Sequence, residues 1–271
     1  MVESIQNYEY SRPRYVQRSA KEAELGYVAA SIATALVYKA LPSFSNPFLK
    51  QMEKEWANNH QYKDIFIKSI ENSGLKKKGL TFENLRLDPI EEGLFKSGLL
   101  ENIEHLDIKQ GYNACYIPDT KQVVLNADKA TISGFHELGH AMNHLNSKFG
   151  RFLQKCRVPG YTIAGLMGTV ALISRNKPKE AKRDVLDVVQ DNCGKIAFLS
   201  LMPTVIEETM ASYKGIKLAK ENGLSDVLVK NLKNFYGKAL LSYTGYALVT
   251  GFAVYIASKI TETFTRPKRV Q

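Results

Sequence analysis

The chain has 271 residues, 44% of them hydrophobic and 24% charged, with a mean hydropathy of −0.24. That balance excludes bulk disorder and a chain that is membrane throughout, yet it leaves room for a few apolar spans joined by polar segments. The formal charge of +10 comes from Lys and Arg clusters beside apolar runs and not from any nucleic-acid-binding module, so no nucleic-acid partner is expected.

In chain order, residues 1–24 form a polar, basic lead that does not read as a secretory signal. Residues 25–38 are uncharged, but fall short of the roughly 20 residues that cross hydrocarbon. A buried helix and a first membrane segment (25–41) both fit that run. Residues 46–105 read as mainly helical, punctuated at Asn59-His60-Gln61, Ser73-Gly74, Lys76 to Gly79, Asp88-Pro89 and Ser97-Gly98. Then 115–117 and 122–125 flank Pro118-Asp119-Thr120-Lys121, which predicts a β-hairpin. A single helix is expected from near Asp128 to about Lys155. Residues 158–174 carry no charge and include Gly165 and Gly168, small enough for close helix contact. A further apolar helix over 196–206 is expected to be interrupted at Pro203. The strongest membrane candidate is 239–258, twenty uncharged residues between Lys238 and Lys259. The cysteines Cys115, Cys156 and Cys193 form no C-x-x-C pair and read as reduced structural thiols.

The chemistry-bearing motif lies inside the helix predicted after the hairpin, where His136-Glu137-Leu138-Gly139-His140 spells H-E-x-x-H. Four residues apart on a helix, His136 and His140 share one face and can offer two imidazoles to one metal ion, zinc above all. Glu137 is then placed to act as general base on a water. A surface helix carrying two histidines by chance is the bland alternative. A catalytic zinc needs a third protein ligand. His144 extends the same face but lies eight residues from His136, about 12 Å along the axis, too far to share the ion. The better source is Glu207-Glu208, where adjacent carboxylates end an apolar helix segment. Ala211 and Gly215 lie on the face of Glu208 and would let that helix approach the histidines closely, which favours Glu208 over Glu207. A solvated helix end is the competing reading.

Taken together, H136-E-L-G-H140 followed by E208-x-x-A211-S212-x-x-G215 resembles the M48 family of membrane-associated zinc endopeptidases. The segment from Asn113-Ala114-Cys115-Tyr116 to Val123-Val124 looks like that family's strand beside the substrate cleft. The resemblance covers roughly residues 112–220. It implies His136, His140 and Glu208 as ligands of one Zn²⁺ per chain, Glu137 as catalytic base, and a peptide or membrane-protein substrate bound at Asn113, Ala114, Val123 and Val124. An extended substrate is expected to add as a strand beside 123–125. Ser212 stands where the family has an aspartate that orients a ligand histidine.

The expected fold is mainly α with a small β-hairpin or sheet: a zincin-like core with apolar, membrane-associated helices. Three regions follow: an N-terminal helical region (1–111), a catalytic region with apolar helices at 158–174 and 195–206 (112–238), and a C-terminal membrane helix with a basic tail (239–271). The expected activity is peptide-bond hydrolysis in an integral membrane protein. The alternative is an inactive scaffold that keeps its zinc, suggested by Ser212 and by the lack of any histidine after His144. An intramembrane protease fits poorly, because no late aspartate lies in an apolar helix.

Overall fold

The computed structural model describes residues 14–40, 60–97, 106–129 and 131–270. In chain order they form β1 (Arg14–Val16), α1 (Ala20–Ala40), α2 (His60–Asn72), β2 (Thr81–Asn84), α3 (Pro89–Lys96), α4 (Leu106–Lys109), β3 (Ala114–Ile117), β4 (Gln122–Leu125), α5 (Thr131–Asn146), α6 (Lys148–Ala171), α7 (Val185–Glu221), α8 (Asp226–Thr265) and β5 (Lys268–Val270). The fold is mainly helical with a small sheet, as the composition of the segments implied. The polar lead before Arg14, residues 41–59 and residues 98–105 lie outside the described residues, and with them the expected interruption at Asn59.

Two apolar cores are strung along the two longest helices. The first joins Tyr62 and Phe66 of α2, Val123 of β4, Phe135 and Leu138 of α5, and Leu232 of α8. The second joins Ala30 of α1, Ala164 of α6, Ala197 and Leu201 of α7, and Val254 of α8. Helix α8 therefore packs its first half into a sheet-bearing domain and its second half into a four-helix bundle. The expected boundary at residue 238 falls inside this continuous helix. Nor does the chain divide at 111, because β2 pairs in parallel with β4 of the hairpin. That strand went unread in the sequence: Thr81-Phe82-Glu83-Asn84 has one large apolar residue and no run of alternation.

Three further departures concern helix limits. The expected helix through Lys155 is two helices, broken at Ser147, whose Oγ accepts the Gly150 N–H at 3.0 Å and caps α6. Pro203 does not interrupt its helix: α7 runs unbroken for 37 residues, held from both sides by α6 and α8. Pro159 likewise lies inside α6. A proline costs a helix one internal hydrogen bond, and packing along the neighbouring helices outweighs that local loss. Finally, α8 is long and apolar enough to cross a membrane, a property that the core helix of a soluble protein can share.

At the end of the bundle away from the sheet, β1 and β5 pair antiparallel and tie the two ends of the described chain together. Tyr15 donates its hydroxyl to Glu180 at 2.7 Å, and Gln17 Nε2 donates to the Asn176 carbonyl at 3.1 Å, so the α6–α7 connection joins the same cap. Arg175 is buried there, with Nη2 on Ser258 Oγ at 3.0 Å and Nη1 on Asp191 at 2.5 Å.

Close backbone contact brings α5 against α7. A Cβ on Gly139 would lie 2.0 Å from the Ala211 carbonyl oxygen, and one on Gly215 would lie 2.3 Å from that of Phe135. The small residues at 211 and 215 thus serve the approach expected of them. Gly165 and Gly168 do not, since among the described residues nothing lies within 4 Å of a Cβ at either position. Replacing Gly139 with alanine is expected to destabilise the protein by about 1–3 kcal/mol through overpacking. Gly165→Ala is expected to be neutral or slightly stabilising by helix propensity, by up to about 1 kcal/mol. Thermal unfolding of the two variants side by side checks both.

Candidate metal centre

Helix α5 presents His136 and His140 one turn apart, with ring centroids separated by 4.5 Å and their Nε2 atoms by 3.0 Å. From α7, Glu208 Oε2 meets the same point, 3.0 Å from His136 Nε2 and 3.5 Å from His140 Nε2. Three donor atoms bound tetrahedrally to zinc at 2.0–2.1 Å would stand about 3.3 Å apart. The spacing fits such an ion.

The outer edges of both rings are held. His140 Nδ1 lies 2.9 Å from Glu207 Oε1 and 2.8 Å from Glu207 Oε2, and His136 Nδ1 lies 3.2 Å from Ser212 Oγ. A carboxylate only accepts, so His140 carries a proton on Nδ1 and turns Nε2 inward. Inward-facing lone pairs on two imidazoles and a carboxylate repel one another unless a cation lies between them. Burial works against the charged form of His140, but its bonds to Glu207 and Glu208 prevail and push it up to about 10. Burial likewise opposes ionisation of Glu208, yet the bonds from His136 and His140 hold its carboxyl well below the usual range.

Glu207 is wholly buried and well supplied with donors. Gln154 Nε2 and Asn143 Nδ2 both reach its Oε1 at 2.9 Å, and Arg157 Nη1 stands 3.4 Å from Oε2. The other arm of Arg157 reaches Glu208 Oε1 at 2.8 Å, which leaves Oε2 facing the histidines. The two carboxylates weighed as competitors therefore take different parts.

Glu137 is buried beside both histidines, and its carboxylate accepts the backbone N–H of Tyr116 in β3. Burial pushes its carboxyl up, and the neighbouring His140 and His136 offset part of that. A carboxylate with raised proton affinity is suited to taking and returning a proton.

These groups line a cleft of about 630 Å³, bordered by Asn113, Ala114 and Tyr116 of the β3 side, by Arg151 of α6, and by Tyr243 of α8. His144 lines its far end, where Nδ1 pairs with the Tyr116 hydroxyl at 2.8 Å, away from the three-atom cluster. Burial, then Arg151, lowers its pKa. Val123 and Val124 correct an expectation. They lie on the central strand of the order β2-β4-β3, buried and flanked on both sides, so no substrate strand can add there. Among the described residues, the outer strand beside the cleft is β3.

Asn143, Gln154, Arg157 and Tyr243 were not anticipated. Asn143 follows His140 by three residues and Arg157 follows Gln154 by three, so each pair shares a helical face, but nothing in the sequence aims those faces at Glu207. None of the protein-family models, curated proteins or solved structures compared with the chain matches it.

Glu207→Ala is expected to cost about 3 kcal/mol, because it leaves His140 Nδ1 without its carboxylate in the interior and removes the charged acceptor of Asn143, Gln154 and Arg157, although Asn143 and Gln154 each keep a backbone carbonyl. Denaturant unfolding against wild type checks this.

Proposed function

We propose that the chain is a zinc-dependent endopeptidase held at a membrane, with His136, His140 and Glu208 as ligands of one zinc ion and Glu137 as general base. The observation that carries this reading is the convergence of His136 Nε2, His140 Nε2 and Glu208 Oε2 on one point, with Glu137 adjacent and an open cleft in front. Zinc at such a set supplies a Lewis acid that polarises a carbonyl and brings the pKa of water towards about 7.

The residues of the chain do the rest. Glu137 takes a proton from the attacking water and delivers it to the departing amine. Glu207 and Ser212 keep the two imidazoles turned inward, and Arg157 holds the second oxygen of Glu208. An extended peptide adds along β3, the strand edge beside Glu137, with Asn113 and Ala114 at its start. The length and apolar character of α8 support association with a membrane.

Elemental analysis of detergent-extracted protein is expected to give close to one zinc per chain, strongly reduced in Glu208→Ala. Glu207→Ala and Ser212→Ala should each weaken zinc by about 10–100-fold. Glu137→Gln should keep its zinc and lose peptide hydrolysis by at least about 100-fold. Zinc without hydrolysis in wild type would favour the inactive scaffold, the reading to which Ser212 lends weight. No zinc in wild type would overturn both.

A further inference from the structure

The second core is small in side-chain volume but long, and what surrounds it is apolar. Val28 and Ile32 of α1, Leu166 of α6, Leu199 of α7, and Leu248 and Phe252 of α8 are each more than half exposed. They lie on all four helices of the bundle, over stretches that carry no charged residue: 25–38, 158–174, 196–206 and 239–258. Soluble monomers ordinarily expose contiguous apolar surface of no more than a few hundred Å², and apolar side chains exposed on all four helices are what a lipid-facing bundle presents. Among the described residues, only α8 is long and apolar enough to be a membrane candidate by itself. Crossing alone would cost it its packing, however. Through the second half of α8, Ala247, Val254 and Ala257 are buried in one core with Ala30, Ala164 and Ala197 of the other three helices. Inserting α8 either strips it of these contacts or carries its three partners in with it.

From this we infer that α1, α6, α7 and α8 cross the bilayer together, leaving the candidate metal centre at one face and the β1–β5 cap with the α6–α7 connection at the other. The inference rests on the membrane part of the proposed function and is independent of its peptidase part. Distances along the helices agree with it. The uncharged run of α8 measures about 30 Å, the thickness of a hydrocarbon core, and the part of 158–174 that lies in α6 measures about 21 Å, with the uncharged residues 172–174 continuing beyond it. In α7, Asp191 and Glu207 are separated by about 24 Å, with exposed Lys195 one turn inside, where its stem can carry the ammonium to the edge. From Asp184 at the start of α7 to Glu208 is about 36 Å. The metal centre is therefore one membrane thickness from the opposite cap. Charge returns at both limits: Arg157, Glu207, Glu208 and Lys238 on the metal side, Arg175, Asp191, Lys259 and Glu262 on the other. The connection beyond, with Lys177, Lys179, Lys182 and Arg183, suits a surface of anionic headgroups.

The test is labelling with a membrane-impermeant maleimide in sealed vesicles, on the full chain with Cys115, Cys156 and Cys193 replaced by alanine and an epitope tag after residue 271. Single cysteines replace exposed lysines: Lys179→Cys and Lys182→Cys at the cap, Lys76→Cys and Lys220→Cys near the metal centre. The expected result is that 179, 182 and the tag are accessible from one face, and 76 and 220 only from the other. If 179 and 182 label with 76 and 220 while the tag lies opposite, α8 crosses alone and the inference is overturned. If every site and the tag share one face, or alkaline carbonate releases the chain, the membrane reading falls with it. Paired positions on each side prevent one misfolded variant from deciding the outcome, and the pattern does not depend on zinc or hydrolysis.

Discussion

Two adjacent carboxylates, Glu207 and Glu208, are buried at the junction of an apolar bundle and a small sheet domain. Removing an ion from water carries an effective penalty of several kcal/mol, so each must be met by donors or by positive charge. Successive residues on a helix point about 100° apart. A partner must therefore present two edges or two arms to meet both. The protein resolves this by placing one imidazole between them: Glu208 addresses Nε2 of His140 while Glu207 addresses Nδ1 on its opposite edge. Arg157 then bridges the two carboxylates from α6. The glutamate pair, the histidine helix and the start of the bundle are thereby bound into one electrostatic unit.

That unit requires the axes of α5 and α7 to come nearer than ordinary side chains allow. Gly139 lies against Ala211 and Gly215 against Phe135, backbone to backbone, and this contact gives the imidazoles and the Glu208 carboxylate a common meeting point. Tyr236 supports the same arrangement from α8, with its ring 5.3 Å from that of His136 and its hydroxyl bonded to the Ile132 carbonyl at 2.5 Å. Helices α7 and α8 extend from here into the bundle, so the position of the centre along them is also its height above the four-helix layer. The electrostatics of the cluster and the placement of the apolar band are consequences of the same two helices.

Much of this was legible because it is periodic. The spacing of His136 and His140, the small residues at 211 and 215 and the hairpin about Pro118 to Lys121 each follow a fixed helical or strand repeat, and the structure keeps each of them. What escaped reading is set by contacts between elements distant in sequence. The pairing of β2 with β4 crosses some 40 residues, and it is this pairing that buries Val123 and Val124 and leaves β3 as the outer strand beside the cleft. The continuity of α7 through Pro203 is likewise a tertiary effect, since local propensity argues for a break. Gln154 and Arg157 belong to a helix whose expected start was misplaced by the cap at Ser147, so the face they share could not be directed at Glu207 from the sequence.

The serine at position 212 bears on whether the proposed centre can turn over. An aspartate in that position would fix the orientation of a ligand histidine and add negative charge to the cluster. Orientation needs only an acceptor held at Nδ1, and Ser212 Oγ stands 3.2 Å from that atom of His136, on the same face of α7 as Glu208. The charge is supplied elsewhere, by Glu207 on the other histidine, fully buried and fixed by Asn143, Gln154 and Arg157. The two functions that one aspartate would combine are thus divided between the two imidazoles. A division of this kind makes the histidines unequal, His140 with an anionic partner and the stronger donor, His136 with a neutral one and the weaker. It does not deprive either of its orientation. Ser212 is therefore weaker support for an inactive scaffold than the sequence alone suggests, because Glu207 supplies at His140 the carboxylate that His136 lacks.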